Sequence, residues 1–107
     1  MSPTLKDLVD QLKQVQSTIA AAGVETEQSI DLEILALHIE EKIEMSAFDP
    51  LAAIADVAVP DFTKLRGYSA ALATEIQNEK NRVALLGKIL GSAKSVLSLS
   101  GLPLPVL

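Results

Sequence analysis

The sequence contains no cysteine and no tryptophan, and its 107 residues include only three aromatic side chains, Phe48, Phe62 and Tyr68. The lack of cysteine excludes disulfides, thiolate zinc sites and cysteine nucleophiles. A single histidine, His38, excludes a multi-histidine metal site within one chain. With few rings for base stacking and a net charge of -5, we expect no nucleic acid partner.

Long hydrophobic runs are also missing. The longest strictly apolar run, Leu51 to Ala55, has five residues, whereas a membrane-spanning helix needs about 20. Residues 1–7 lack the basic segment and the following apolar segment of a secretory signal. We therefore expect a cytoplasmic protein with no membrane span, and leave open signal-peptide-free export or incorporation into a virion.

Helical periodicity dominates what is present. Apolar residues make up 49% of the chain, which is enough for one folded domain. A 3-4 apolar spacing predicts a first helix over about 3–22. Ser2 is expected to cap it, with Pro3 at its first position and Gly23 as its stop. The spaced positions are Leu5, Leu8, Leu12, Val15, Ile19 and Ala22.

The second helix, predicted over 27–46, has two opposed apolar faces at about 100° per residue. One face carries Leu32, Leu35, Ala36, Ile39 and Ile43. The opposite face carries Ile30, Ile34, Leu37 and Met45. Glu41 is the one charge that falls inside an apolar face. A helix with two such faces is usually packed between neighbours, and its spare apolar face indicates an interaction surface.

The rest of the chain predicts a short helix over 50–58, begun by Asp49-Pro50, and a long last helix over 62–98. The row of residues at 3-4 spacing along the last helix forms its seam, and nine of the eleven positions are apolar: Phe62, Leu65, Ser69, Leu72, Ile76, Glu79, Val83, Leu86, Leu90, Ala93 and Leu97. A continuous helix would span roughly 55 Å. Gly67, Gly87 and Gly91 weaken it by about 1 kcal/mol each relative to alanine, so the prediction leaves open a kink or a break. An extended apolar tail over 99–107 follows. The fold class is all-α: an antiparallel helical hairpin or bundle with a long C-terminal coiled-coil helix.

No pattern of enzyme chemistry stands out. Glu40, Glu41 and Glu44 fit a solvated acidic stripe better than an acid–base pair, and His38 fits a solvated or interface position. The sequence has neither a Gly-x-Ser-x-Gly elbow nor a phosphate-binding loop. We expect a non-enzymatic protein without a cofactor or a metal ion.

The lengths of the helices point to a partner surface. Two helices of roughly 30 Å cover only part of the last one. The seam residues from Val83 onward, which we call the late seam, should therefore stay exposed and bind a partner. The predicted partner-binding residues are Val83, Leu86, Gly87, Leu90, Gly91 and Leu97. Aspartate at Leu86 or Leu90 should then dissociate the protein without unfolding it. The small residues beside this seam indicate either a docking groove or close packing within the chain.

Charge is segregated along the chain. Residues 24–61 have a net charge of -9 and residues 62–107 a net charge of +4. Opposite charge favours packing of the second helix beside the last one.

The segment over residues 70–86, AALATEIQNEKNRVALL, resembles the C-terminal helix of FlgN-like flagellar export chaperones. Asn78 and Asn81 match the two asparagines three apart in that helix. The following leucine-rich stretch is matched by Ile89, Leu90, Val96 and Leu97. The resemblance implies a chaperone helix that engages secreted hook-associated proteins through Val83, Leu86, Leu90 and Leu97.

Together these observations predict a non-enzymatic helical protein–protein interaction module, for example an export chaperone that binds a helical client. The alternative is a structural subunit of a repeating assembly, such as a secretion-system rod or a virion component. In either case the expected contact is with a protein partner or a second copy through apolar helix faces, giving a client complex or a homo-oligomer.

Overall fold

The computed structural model describes residues 3–46 and 58–99. In these ranges the chain forms four α-helices and no strand: α1 (Leu5–Ala22), α2 (Glu27–Ser46), α3 (Phe62–Glu75) and α4 (Glu79–Leu99). The predicted fold class, an all-α antiparallel bundle, is confirmed. Its C-terminal helix, α4, has 21 residues.

The four helices form a bundle in which α1 packs against α2 and α3, and α4 packs against α2 and α3. Short turns join α1 to α2 and α3 to α4, so each of these two pairs is antiparallel. The Gln28 side chain donates to the Val83 carbonyl at 3.2 Å, so α2 and α4 begin at the same end of the bundle. The predicted packing of the acidic second helix against the last helix is confirmed.

The first helix ends as predicted and begins two residues later than predicted. Gly23 adopts a left-handed φ of 69°, and the N–H groups of Gly23 and Val24 donate to Ala20 and Ile19. This is the Schellman arrangement that glycine favours. At the other end Thr4, not Ser2, is the N-cap, and its N–H donates to Asp7 at 2.8 Å. Pro3 lies outside the helix, where its carbonyl accepts the Val59 N–H at 2.9 Å.

One apolar core joins all four helices. It contains the seam of α1, the inner face of α2 and most of the seam predicted for the last helix. Twelve large side chains are less than 2% exposed: Leu5, Leu8, Leu12, Ile19, Leu32, Leu35, Ile39, Leu65, Leu72, Leu86, Ile89 and Leu97. Burial of each stabilises the fold by about 1.5–3 kcal/mol relative to exposure.

The helix predicted over 62–98 is not continuous, because a turn at residues 76–78 divides it into α3 and α4. The Asn78 side-chain oxygen accepts the Asn81 N–H at 3.1 Å, the N-cap bond of α4. An asparagine at this position is worth about 1 kcal/mol relative to alanine. Asn81 donates in turn to the Glu75 carboxylate at 3.1 Å. The two asparagines therefore hold a helix–helix turn.

Arg82 closes the same turn from α4. Its side chain is 9% exposed, and its Nη1 donates to the Ile76 carbonyl at 2.8 Å. A cation at a helix C-terminus satisfies a free carbonyl and complements the helix dipole. The buried Arg82 Nε has no hydrogen-bond partner among the described residues.

The turn has a clear physical consequence. A straight helix over 62–98 would run beyond its shorter neighbours and leave its late seam in water. By folding back along α3, α4 buries that seam in the bundle instead. None of the three helix glycines lies at the break.

Two predicted segments lie outside the described residues. The helix expected over 50–58 falls there except for Ala58, which forms an isolated bridge with Thr4. The tail expected over 99–107 also falls there except for Leu99, the last residue of α4.

Candidate partner-binding surface

The candidate surface lies on α2, on the side turned away from the core. Leu32, Leu35, Ala36 and Ile39 are at most 2% exposed, so one predicted apolar face of this helix is the buried one. The opposite face is left in solvent. We call its four apolar residues the α2 strip: Ile30, Ile34, Leu37 and Met45.

The α2 strip is apolar and open. Ile30 and Leu37 are each 55% exposed, Met45 is 58% exposed and Ile34 is 38% exposed. Their spacing places all four on one side of a helix over 16 residues, or roughly 23 Å. Such a row on an otherwise folded chain is typical of a protein-contact surface.

Carboxylates lie within the α2 strip and along one of its edges, whereas the other edge carries Asp31, His38 and Lys42. Glu41 lies within the strip, Glu33 and Glu44 lie along the acidic edge, and Glu27 lies at the start of the strip, by the same helical spacing. These four glutamates are exposed. A partner that covers the strip must therefore present cations or leave these acids in water.

Glu40, farther round α2, is paired within the chain. Its carboxylate forms an ion pair with Lys13 of α1. The hydrogen bond to Glu40 raises the pKa of Lys13 above its usual value. Both groups lie at the surface, so this pair orients α1 against α2 more than it stabilises the fold.

The partner-binding residues predicted on the last helix are divided by the structure. Leu86 and Leu97 are fully buried and Leu90 is 8% exposed, so the expectation that this part of the seam stays exposed is wrong. Val83 is 45% exposed. Gly87 and Gly91 also lie in solvent, on the outer side of α4.

The outer side of α4 forms a second open surface, which we call the α4 ridge. Its members are small and exposed: Ala84, Gly87, Gly91, Ser95 and Ser98. A Cβ added at Gly87 or Gly91 meets no atom of residues 3–46 and 58–99 within 4 Å. Close packing against these residues therefore does not account for the two glycines, although each destabilises a helix by about 1 kcal/mol relative to alanine.

Lysines flank the α4 ridge. By helical spacing Lys94 lies on one side, Lys88 on the other, and Lys80 near its start. None of the three forms an ion pair with another residue in the ranges 3–46 and 58–99. The Lys88 ammonium lies 5.6 Å from the centre of the Tyr68 ring, a cation–π contact with α3. Asp61 and Lys64 line a groove beside Gly91 and Ser95, so one acid also lies near the ridge. The ridge is thus small and mainly cationic, whereas the α2 strip is large, apolar and mainly anionic.

The described residues hold no cluster of three His, Asp or Glu side chains suited to a metal ion. A groove of about 430 Å³ between α1 and α3 is lined mainly by Gln11, Gln14, Thr18, Arg66 and Ser69. That lining has no acid–base pair. Among the described helices none is both long and apolar enough to cross a bilayer.

The sequence contained a signal that could have selected the α2 strip. Only one of the two apolar faces of α2 contains a charge, Glu41, and a charged residue is rarely fully buried unless it is paired. The charge-bearing face is therefore the one expected to point outward.

Comparison with protein-family models, curated proteins and solved structures finds no match to this chain.

Proposed function

We propose that this protein is a non-enzymatic helical interaction module that binds a basic amphipathic helix through the α2 strip. The observation that carries the proposal is the exposed row of Ile30, Ile34, Leu37 and Met45 on a helix whose other face is already buried. A groove or face of this kind accepts a helix with apolar residues at every third or fourth position.

The charge of the surface supports the choice of partner. The acidic edge of the α2 strip favours a helix with lysine or arginine beside its apolar row and disfavours an acidic one. An interface formed by α2 and one partner helix is small. We therefore expect weak, salt-sensitive binding with a dissociation constant in the micromolar range.

The client class implied by the FlgN-like resemblance stays a prediction. The seam residues that the resemblance nominates include Leu86, Leu90 and Leu97, which the chain's own core covers. An export-chaperone role would therefore place the client helix on the α2 strip instead. A structural-subunit role is favoured by a different observation, the second surface on α4 with the opposite charge.

Two synthetic peptides test the proposed function. Both carry leucines at helical spacing and one tryptophan; the first has lysine at its remaining positions and the second has glutamate. Because the protein has no tryptophan, the peptide's emission reports its burial directly. We expect the lysine peptide to bind, the glutamate peptide not to bind, and Leu37→Asp to weaken binding by at least about tenfold.

Ala70→Asp is the matched control. It adds the same carboxylate to an exposed position on α3, the helix diagonally opposite α2. This variant should bind the lysine peptide like the wild type. Equal binding of both peptides, or equal binding by the wild type and Leu37→Asp, would contradict the proposal.

A further inference from the structure

We infer that the α2 strip of one molecule docks on the α4 ridge of a second copy of this chain. The inference rests on the proposed function of the strip and names its partner. It uses two surfaces that the described part of the chain leaves uncovered, one on α2 and one on α4.

Charge complementarity selects this pairing. Glu41 lies within the α2 strip and Glu33 and Glu44 lie along one edge of it, whereas Lys80 and Lys88 flank the α4 ridge. Two α2 strips facing each other would bring carboxylates together, and two α4 ridges would bring ammonium groups together. The α2-to-α4 contact sets the acids of the strip against the lysines of the ridge, so charge favours this contact over the other two.

Shape supports the same pairing. The strip presents large side chains at positions such as Ile30, Ile34 and Leu37, and the ridge presents almost none. Small residues at Ala84, Gly87 and Gly91 allow a second backbone to approach closely, and the open space beyond the two glycines leaves room for it. The two rows are also similar in length, each roughly 20–25 Å.

The contact joins two different surfaces of the same chain, so it is heterologous. Each molecule offers one strip and one ridge, and repeated contacts either close into a ring or continue as a filament. A change that inactivates either surface should remove every contact between identical molecules. Mixing two differently inactivated molecules should restore one contact, between the intact ridge of the first and the intact strip of the second.

The test uses Leu37→Asp to inactivate the strip and the double variant Gly87→Gln/Gly91→Gln to inactivate the ridge. Glutamine fits the free monomer, because an added Cβ at either glycine meets nothing among the described residues, and it favours a helix more than glycine does. The ridge variant should therefore melt at a higher temperature than the wild type while it loses assembly. Circular dichroism verifies that both variants are folded.

Light scattering coupled to size-exclusion chromatography reads the outcome over a range of protein concentrations. We expect the average molar mass of the wild type to rise with protein concentration. Each variant alone should stay a monomer, and an equimolar mixture of the two should form a one-to-one dimer. Assembly of the ridge variant like the wild type would overturn the inference in favour of contact between two strips. A mixture that stays monomeric would also overturn it.

The outcomes separate this inference from the proposed function. A wild type that is monomeric at every concentration but binds the lysine peptide would overturn self-docking and leave the interaction module standing. A wild type that neither assembles nor binds the peptide would overturn both.

Discussion

Replacing Leu86 with aspartate should unfold the chain, whereas the same replacement at Leu37 should leave it folded. Leu86 is fully buried in the core, while Leu37 is 55% exposed. An unpaired carboxylate in the core costs several kcal/mol, and loss of the leucine adds about 2–5 kcal/mol. Domains of this size are stable by only about 5–15 kcal/mol. A surface change such as Leu37→Asp should stay within about 0.5 kcal/mol.

Thermal unfolding followed by circular dichroism measures the difference. Leu86→Met is the matched control, because it keeps an apolar side chain of similar volume and should cost less than about 1.5 kcal/mol. A Leu86→Asp protein that is folded and merely dissociated would support the interpretation made from sequence, that the late seam is an exposed contact. It would contradict the packing of α4 described above.

Reversing the charges around the α2 strip should abolish self-association. In the variant Glu33→Lys/Glu41→Lys/Glu44→Lys the strip becomes basic and faces the lysines of the α4 ridge. The reciprocal variant, Lys80→Glu/Lys88→Glu, makes the ridge acidic and should fail for the same reason. Like charges across an interface cost several kcal/mol, so each variant alone should associate at least about a hundredfold more weakly than the wild type.

A mixture of the two charge variants should assemble again. Each contact between unlike molecules then pairs a basic surface with an acidic one, and added salt should weaken it. Sedimentation velocity at low and high salt measures both effects. Lysine introduced at Ala70 and Ala73, two exposed positions on α3, serves as the control and should leave assembly unchanged. Charge variants that assemble as tightly as the wild type would contradict the α2-to-α4 contact.

The helices α1 and α2 were predictable because their signals are local. The apolar spacing of α1, the stop at Gly23 and the two faces of α2 are all set by residues within a few turns of one another. The start of α1 was not predictable in the same way. The choice of Thr4 over Ser2 as the cap depends on Val59, whose N–H binds the Pro3 carbonyl from a distant part of the chain.

The position of the break between α3 and α4 could not be predicted from the apolar spacing. The apolar spacing continues in phase through Ile76 and Glu79, so periodicity alone predicts one helix across the turn. The local signal was Asn78, a favoured N-cap residue, which we assigned to a family resemblance within a continuous helix. The turn folds α4 back along α3, and this is why most of the late seam is buried and not exposed.

The role of the helix glycines also required the structure. From sequence, Gly87 and Gly91 fit equally well a docking groove or close packing within the chain. The distinction is the position of neighbouring helices, which no local pattern contains. The open space beyond both glycines favours the groove.

The reactivity of single introduced thiols tests the central claim most directly, because the protein has no cysteine of its own. The variants are Leu37→Cys in the α2 strip, Leu86→Cys in the core and Ala70→Cys on exposed α3. At low protein concentration Leu37→Cys should react with a thiol reagent as fast as Ala70→Cys, and it should slow as concentration rises and the strip is covered. Leu86→Cys should react slowly throughout. Protection of Leu37→Cys at the lowest concentration, or reaction of Leu86→Cys as fast as Ala70→Cys, would contradict the assignment of α2 as the docking surface and the late seam as core.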